Sequence, residues 1–213
     1  MARIALVAGA TGLVGGLLLR RLADNAAYGE VRVIGRRPPA YEHGKIRFIA
    51  SDFSNLGAHA ADLAVDDVFC CLGTTIRIAG SRPAFERVDY HMVVDLARAV
   101  HKAGARKFLV VSAVGASERS AAFYSRVKGR MEAAVSALPF EAVHIVRPSL
   151  ILGHREQRRP AEDVAQRVAP LLSPLLVGPL KKYRAIGADE IAEALVTLAR
   201  GPLQGAQVHH LPL

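Results

Sequence analysis

Tryptophan is absent from the 213 residues, and aromatic side chains make up only 6% of them. A protein that bound single-stranded nucleic acid would want aromatic platforms for the bases, and no nucleic-acid-binding motif is present either. Nucleic acid is therefore not an expected partner. Cysteine is nearly absent too. The only two, Cys70 and Cys71, are adjacent, and neighbours on a strand point to opposite faces, which disfavours an ordinary disulfide between them. No Cys/His spacing suits zinc, so no metal is expected, and the usage is that of a reduced compartment. Acidic residues are in short supply: 19 against 28 basic ones, a net charge of +9. That excess suggests anionic partners, among them nucleotide phosphates and anionic membranes. No apolar run reaches the roughly 20 residues that span a bilayer. The opening MARIALVAGATGLVGGLLLRRL imitates a secretory signal, but four glycines interrupt it and no small-residue cleavage site follows. The expectation is a soluble, cytoplasmic protein with no transmembrane segment.

What the sequence does contain is alternation. Short apolar runs at Arg3–Ala8, Val31–Gly35, Ile46–Ala50, Asp67–Leu72, Lys107–Ser112 and Glu141–Val146 read as strands. Between them, Leu13–Asp24, Ala84–Ala103 and Ser120–Leu138 read as helices, with Gly104 placed to end the second. Asp189–Arg200 reads as a further amphipathic helix and Ala206–Leu211 as a last strand. Continuous apolar strands separated by helices predict an α/β doubly wound parallel sheet, covered on both faces. One domain over residues 1–213 is expected, with 149–213 forming a small extension on the substrate side.

The first turn carries Gly9-Ala10-Thr11-Gly12-Leu13-Val14-Gly15 directly between a strand and a helix. In that context the glycines have separate tasks. Gly9 permits the tight turn, Gly12 lets backbone approach a pyrophosphate, and Gly15 lets the helix pack close to the sheet. A tight turn without a ligand is the alternative. At the end of the second strand, where an acidic residue would select NAD by its ribose hydroxyl, the chain has Arg36 and Arg37. Two guanidiniums suit a 2′-phosphate, favouring NADP(H) over NAD(H), although a solvated basic strand end has the same composition. Asp52 could accept from an adenine amino group or simply cap its own loop. Gly73 and Thr74, after the fourth strand, leave room for a ribose.

Tyr124 and Lys128 stand four apart on one face of a predicted helix, and Ser112 closes the fifth strand at the ligand-binding edge. These types suit carbonyl reduction. A phenol is a poor acid–base catalyst at neutral pH until a nearby ammonium favours its phenolate. A serine hydroxyl can bond the oxygen where charge develops as hydride arrives.

GATGLVG, GRR, SAVGAS, YSRVK and VRPSLILG together resemble the atypical, extended-like short-chain dehydrogenase/reductases. CCLGTT, RVDY, the YxxxK element and REQRRP are similar to the Tat-interacting-protein, oxidoreductase-like group. The resemblance covers almost the whole chain and is weakest from Leu171 onward. It implies a Rossmann fold, NADP(H) binding, and Ser112, Tyr124 and Lys128 as the catalytic set. The implied cofactor set is Gly9, Thr11, Gly12, Leu13, Val14, Arg36, Arg37, Asp52, Leu72, Gly73 and Thr74, with Pro148 and Leu150 contributing backbone and Tyr124 and Lys128 shared. Three departures stand out. Asp89 replaces an asparagine that often supports a water-mediated proton relay, so it either accepts from a lysine-linked water or the relay is missing. Ala113 stands where a second serine is common. The C-terminal region is short for a sugar-nucleotide epimerase.

The expected activity is hydride transfer to or from a small carbonyl, alcohol or enone, in a monomer or homodimer. The alternative is an NADP(H)-sensing regulatory protein without turnover. Arg155, Arg158 and Arg159 read as a solvated helix entry in preference to an anion clamp, and His154 carries little weight. His209 and His210 lack further metal ligands. The apolar stretch from Leu171 to Val177 reads as core packing.

Overall fold

The computed structural model describes residues 2–152 and 184–211. Seven strands form its main sheet: β1 (Arg3–Ala8), β2 (Tyr28–Gly35), β3 (Ile46–Ala50), β4 (Asp67–Cys70), β5 (Lys107–Val111), β6 (Ala142–Arg147) and β9 (Gly205–His210). Their order is β3-β2-β1-β4-β5-β6-β9, and every neighbouring pair is parallel. A short β7 (Ile151–Leu152) pairs with β8 (Ile186–Gly187) beside it. The fold is thus the Rossmann-type α/β sheet that the alternation of apolar runs predicts.

Helices cover both faces, and the period of two along each strand divides the core between them. Val68, Cys70, Phe108 and Val110 pack with Leu96 and Val100 of α4 (Val93–Lys102) and Met131 and Val135 of α5 (Phe123–Ser136). Phe69 and Leu109, the residues between, pack with Leu18 and Leu22 of α1 (Leu13–Ala23) and Ile191 and Leu195 of α6 (Ala188–Arg200). Cys70 and Cys71 follow the same rule: they join opposite core clusters and are both free thiols.

The helix expected over 84–103 is present, running from Arg82 to Lys102, but it carries a π turn. Thr75 caps α2 (Ile76–Ala79), Ser81 caps α3 (Arg82–Glu86), and a π-helical turn, Arg87–Met92, separates α3 from α4. A π turn inserts one residue without disturbing the apolar spacing on either side, so periodicity does not reveal it. Its consequence is that Asp89 is completely buried. The end of α4 is as expected: Gly104 takes φ +98°, and Ala105 N–H returns to Val100 O at 3.0 Å, closing a Schellman cap. The strand expected at 67–72 stops at Cys70, where the chain turns into the site.

Buried charges at the N-terminal edge of the sheet are well supplied with partners. Asp67 accepts from Arg3 at 2.8 Å and from the Tyr28 hydroxyl at 2.7 Å. Lys107 Nζ donates to the carbonyls of Ala199 and Gly201 at 2.8 and 2.7 Å, satisfying the last turn of α6. His144 differs. Its Nδ1 lies 3.0 Å from His209 Nε2 on β9, and its own Nε2 is buried with no partner among the described residues. His154, Arg155, Arg158, Arg159 and the Leu171–Val177 stretch lie outside the described residues.

Burial, then the neighbouring His209 and Lys107, hold the His144 imidazole down at about 4 from an ordinary 6.5. A histidine kept neutral on folding stabilises the fold above its unfolded pKa, and this contribution is lost as pH falls toward the folded value. Allowing for solvent screening, the loss between pH 6.5 and 4 is up to about 2 kcal/mol. Urea unfolding from pH 7 to 4 should show this slope in the wild type and a flatter one in His144→Gln. Parallel slopes would contradict it.

Candidate active site

The strand order reverses between β1 and β4, and the crevice at that point is where open α/β sheets hold ligands. Glycine makes the crevice possible. Gly9 leaves β1 with φ +87°, and a Cβ there would lie 2.5 Å from the Cys71 carbonyl oxygen. A Cβ at Gly15 would lie 2.2 Å from Gly9 O. Gly15 therefore packs the helix against its own turn, where the sequence suggested the sheet. Gly12 is the N-cap of α1, with no side-chain cap and no acidic residue in the first turn. The open N–H groups of that turn are suited to an anion.

Around the turn is a cleft of about 300 Å³. Gly12, Leu13 and Val14 supply one wall, and Leu72, Gly73 and Thr74 at the exit of β4 supply the next. Ser112 after β5, Tyr124 and Lys128 on α5, and Leu150 before β7 close it. Ten of the expected residues thus line one cavity, as does Asp89.

Their chemistry is uneven. Lys128 and Asp89 form a buried ion pair, Nζ to Oδ1 2.7 Å, with side chains 4% and 1% exposed. The second carboxylate oxygen of Asp89 accepts the Thr74 N–H at 2.9 Å. Burial works to lower the Lys128 ammonium's pKa, but Asp89, aided by Tyr124, outweighs it and leaves the group above its ordinary value. Asp89 contacts the lysine directly, in place of the water-linked arrangement considered from sequence. Ser112 Oγ is buried and has no hydrogen-bond partner among the described residues. Tyr124 is 36% exposed, its ring 5.4 Å from that of Phe85 on α3.

The remaining expected residues stand apart from this cleft. Gly9 and Thr11 belong to the turn before α1, where Gly9 O accepts the Gly12 N–H at 3.0 Å and Thr11 is exposed. Arg36 and Arg37 are exposed beyond β2. Asp52 follows β3, and its Oδ1 accepts from Ser54 N–H at 2.9 Å and Ser54 hydroxyl at 2.6 Å, the loop-capping geometry. The next residue, Phe53, takes φ +68°, and the pair lines a second groove with Arg87 and His91. The carbonyl of Pro148 accepts from Val114 N–H at 2.9 Å.

Sequence reasoning overlooked Gly129. A Cβ on it would lie 2.2 Å from the Ser117 carbonyl carbon, so α5 presses directly on the loop after β5. This contact, with the Arg147–Glu132 ion pair at 3.0 Å, fixes how deep Tyr124 and Lys128 sit. The available signal was a glycine immediately after the lysine. Thr75, Ser149 and Ile151 also line the cleft, and no spacing rule marks them.

A glycine-lined crevice at the switch point, an uncapped helix start and a Ser/Tyr/Lys group together define a dinucleotide-binding protein. The NAD(P)H-binding family model matches residues 9–152, and the chain belongs to this NAD(P)-binding, Rossmann-type family related to the short-chain dehydrogenase/reductases. Protein fmp52, mitochondrial, of Aspergillus clavatus is 36% identical over 212 residues, covering 96% of this chain and 90% of that one. Protein HTATIP2 of Rattus norvegicus is 34% identical over 165 residues, covering 76% and 68%. MoeE5, solved in complex with UDP-glucose and NAD, shares the fold with a TM-score of 0.70 at 20% identity, covering 96% of this chain and 74% of its own.

These relatives correct the expected location. Proteins similar along 96% of the chain are named mitochondrial, which points away from the cytoplasm. The cytoplasmic expectation rested on a secretory pattern and a membrane-length run, and neither test reads a mitochondrial address.

Adjacent glycines test the turn. Gly15→Ala forces a Cβ onto backbone and should cost about 2–3 kcal/mol. Gly16→Ala meets nothing closer than 3.4 Å and should be neutral or stabilise by up to about 1 kcal/mol through helix propensity. Chemical denaturation of both variants checks the contrast, and equal effects would contradict it.

Proposed function

We propose that this protein is an NADP(H)-dependent oxidoreductase acting on a small carbonyl, alcohol or enone. The observation that carries the reading is Ser112 Oγ: a buried hydroxyl without a partner among the described residues, lining the same cleft as Tyr124 and Lys128. An unsatisfied buried polar atom costs on the order of 1–3 kcal/mol, which a bound substrate oxygen would recover.

The residues present fit a dinucleotide. The first-turn N–H groups of Leu13 and Val14 would hold the pyrophosphate, and Arg36 and Arg37 a 2′-phosphate. Asp52 has its second oxygen available for an adenine amino group. Gly73 and Thr74, with Lys128, would border the nicotinamide ribose. When bound, the cofactor supplies or accepts the hydride. Ser112 donates to the substrate oxygen and holds it as charge develops. Tyr124 exchanges the proton at that oxygen, and its partial exposure gives it a route to solvent. Lys128, as a fixed ammonium, favours the phenolate. Following the names of its relatives, we place this chemistry in the mitochondrion.

A second reading, an NADP(H)-responsive binding protein without turnover, draws on Asp89. The direct ion pair occupies Lys128 where a water relay was considered.

Calorimetric titration should show NADPH binding more tightly than NADH. Arg36→Ala should weaken NADPH about tenfold or more, the loss of charge-assisted bonds, and leave NADH nearly unchanged. NADPH oxidation against a carbonyl panel should fall at least about 100-fold in Tyr124→Phe with nucleotide binding retained. Full turnover in that variant would overturn the mechanism. NADPH binding without turnover on any carbonyl would favour the second reading, and no nucleotide binding would overturn both.

A further inference from the structure

Lys128 is held in an unusual way. The π turn Arg87–Met92 carries Asp89 into the interior, where its carboxylate bridges two elements: Oδ1 lies 2.7 Å from Lys128 Nζ and Oδ2 accepts the Thr74 N–H at 2.9 Å. Gly73 lies alongside the pair: a Cβ there would sit in ordinary contact, 3.4 Å from Asp89 Oδ1 and 3.7 Å from Lys128 Nζ. The other titratable groups acting on Lys128 are Tyr124 on its own helix and Cys70 from β4. Cys70 is itself held as a neutral thiol, pushed up to about 12 chiefly by burial. Asp89 is thus the carboxylate that balances the lysine.

We propose that Asp89 is a positioning residue: a built-in counter-ion that keeps Lys128 an ammonium inside the protein and ties it to the Gly73–Thr74 backbone. The proposal rests on the oxidoreductase reading for its catalytic meaning, and on geometry alone for the charge state. An ammonium carries three protons. One is committed to Asp89, leaving two for the Tyr124 oxygen and a ribose hydroxyl. A neutral amine would lend the phenol no positive charge, so without Asp89 the burial of Lys128 would disarm the site. Because the same carboxylate holds Thr74, the lysine and the loop bordering the cofactor move as one unit.

Asp89→Asn separates charge from shape, since the amide oxygen can still accept the Thr74 N–H. The readout is the Lys128 side-chain resonance in carbon-13 lysine-labelled full-length protein, assigned by its loss in Lys128→Met. In the wild type the ammonium should persist past pH 10. In Asp89→Asn its titration midpoint should fall by about two pH units, as desolvation is no longer opposed. In Asp89→Glu it should stay near the wild-type value. An unchanged midpoint in Asp89→Asn overturns the proposal. Should Asp89→Asn fail to fold, Asp89→Asn/Lys128→Met, which removes both charges, decides the matter. Recovery of the fold supports the counter-ion role, and failure of the double variant shows a scaffold role and overturns it. These readouts need no turnover. If the resonance behaves as expected and no carbonyl is reduced, the oxidoreductase reading fails while the counter-ion stands.

Discussion

The pairing of β1 with β4, Ala5 opposite Asp67 through Ala8 opposite Cys70, is the constraint on which the site depends. To one side of β1 lie β2 and β3, and to the other β4, β5, β6 and β9. Chains leaving β1 and β4 must therefore diverge, and the gap between them is the crevice. The two exits are not far apart, however. Gly9 rests on the Cys71 carbonyl so closely that no side chain fits. The crevice consequently opens above a tightly packed floor, and the start of α1 is presented at its rim. Every later feature, from the uncapped helix turn to the Gly73–Thr74 backbone, takes its position from that contact.

The two edges of the sheet handle polar groups differently. At the N-terminal edge, Asp67 and Lys107 are largely shielded from water, and each has specific protein partners. Such groups fix register and anchor α6, and they have little left to offer a ligand. At the C-terminal edge Lys128 and Asp89 satisfy each other, whereas Ser112 Oγ has no partner among the described residues and Tyr124 reaches solvent. What sets Ser112 apart from His144, which also has a buried unpartnered atom, is that Ser112 lines the cleft.

Much of this was legible in the sequence because it is written in local signals. Strand runs, the GATGLVG turn and the four-residue spacing of Tyr124 and Lys128 each involve residues close in the chain, and the parallel sheet follows from their alternation. The π turn within the long helix was not legible. A π turn shifts register without altering the apolar pattern, so the sequence marked Asp89 as a departure from an asparagine but not its burial directly against Lys128. Gly129 was missed for a related reason: what it touches, Ser117 and Glu118, lies in a loop whose path no periodicity records. Location was misread because an organelle address is not a property of the folded core.

The basic excess, too, resolves into parts once partners are known. Arg3, Arg21, Arg32, Arg47, Arg98, Arg106, Arg130 and Arg147 each hold a carboxylate. Arg20 and Arg82 lie over aromatic rings. These arginines are engaged within the fold, and a high isoelectric point alone would have said nothing of their roles. Arg36 and Arg37 are different: they are exposed beyond the C-terminal end of β2, next to β1 at the switch point, where our proposal would put an adenosine ribose. Two guanidiniums offer forked, charged donors that suit a phosphate better than a hydroxyl. In the proposed function it is this local charge, more than the total, that argues for the phosphorylated dinucleotide.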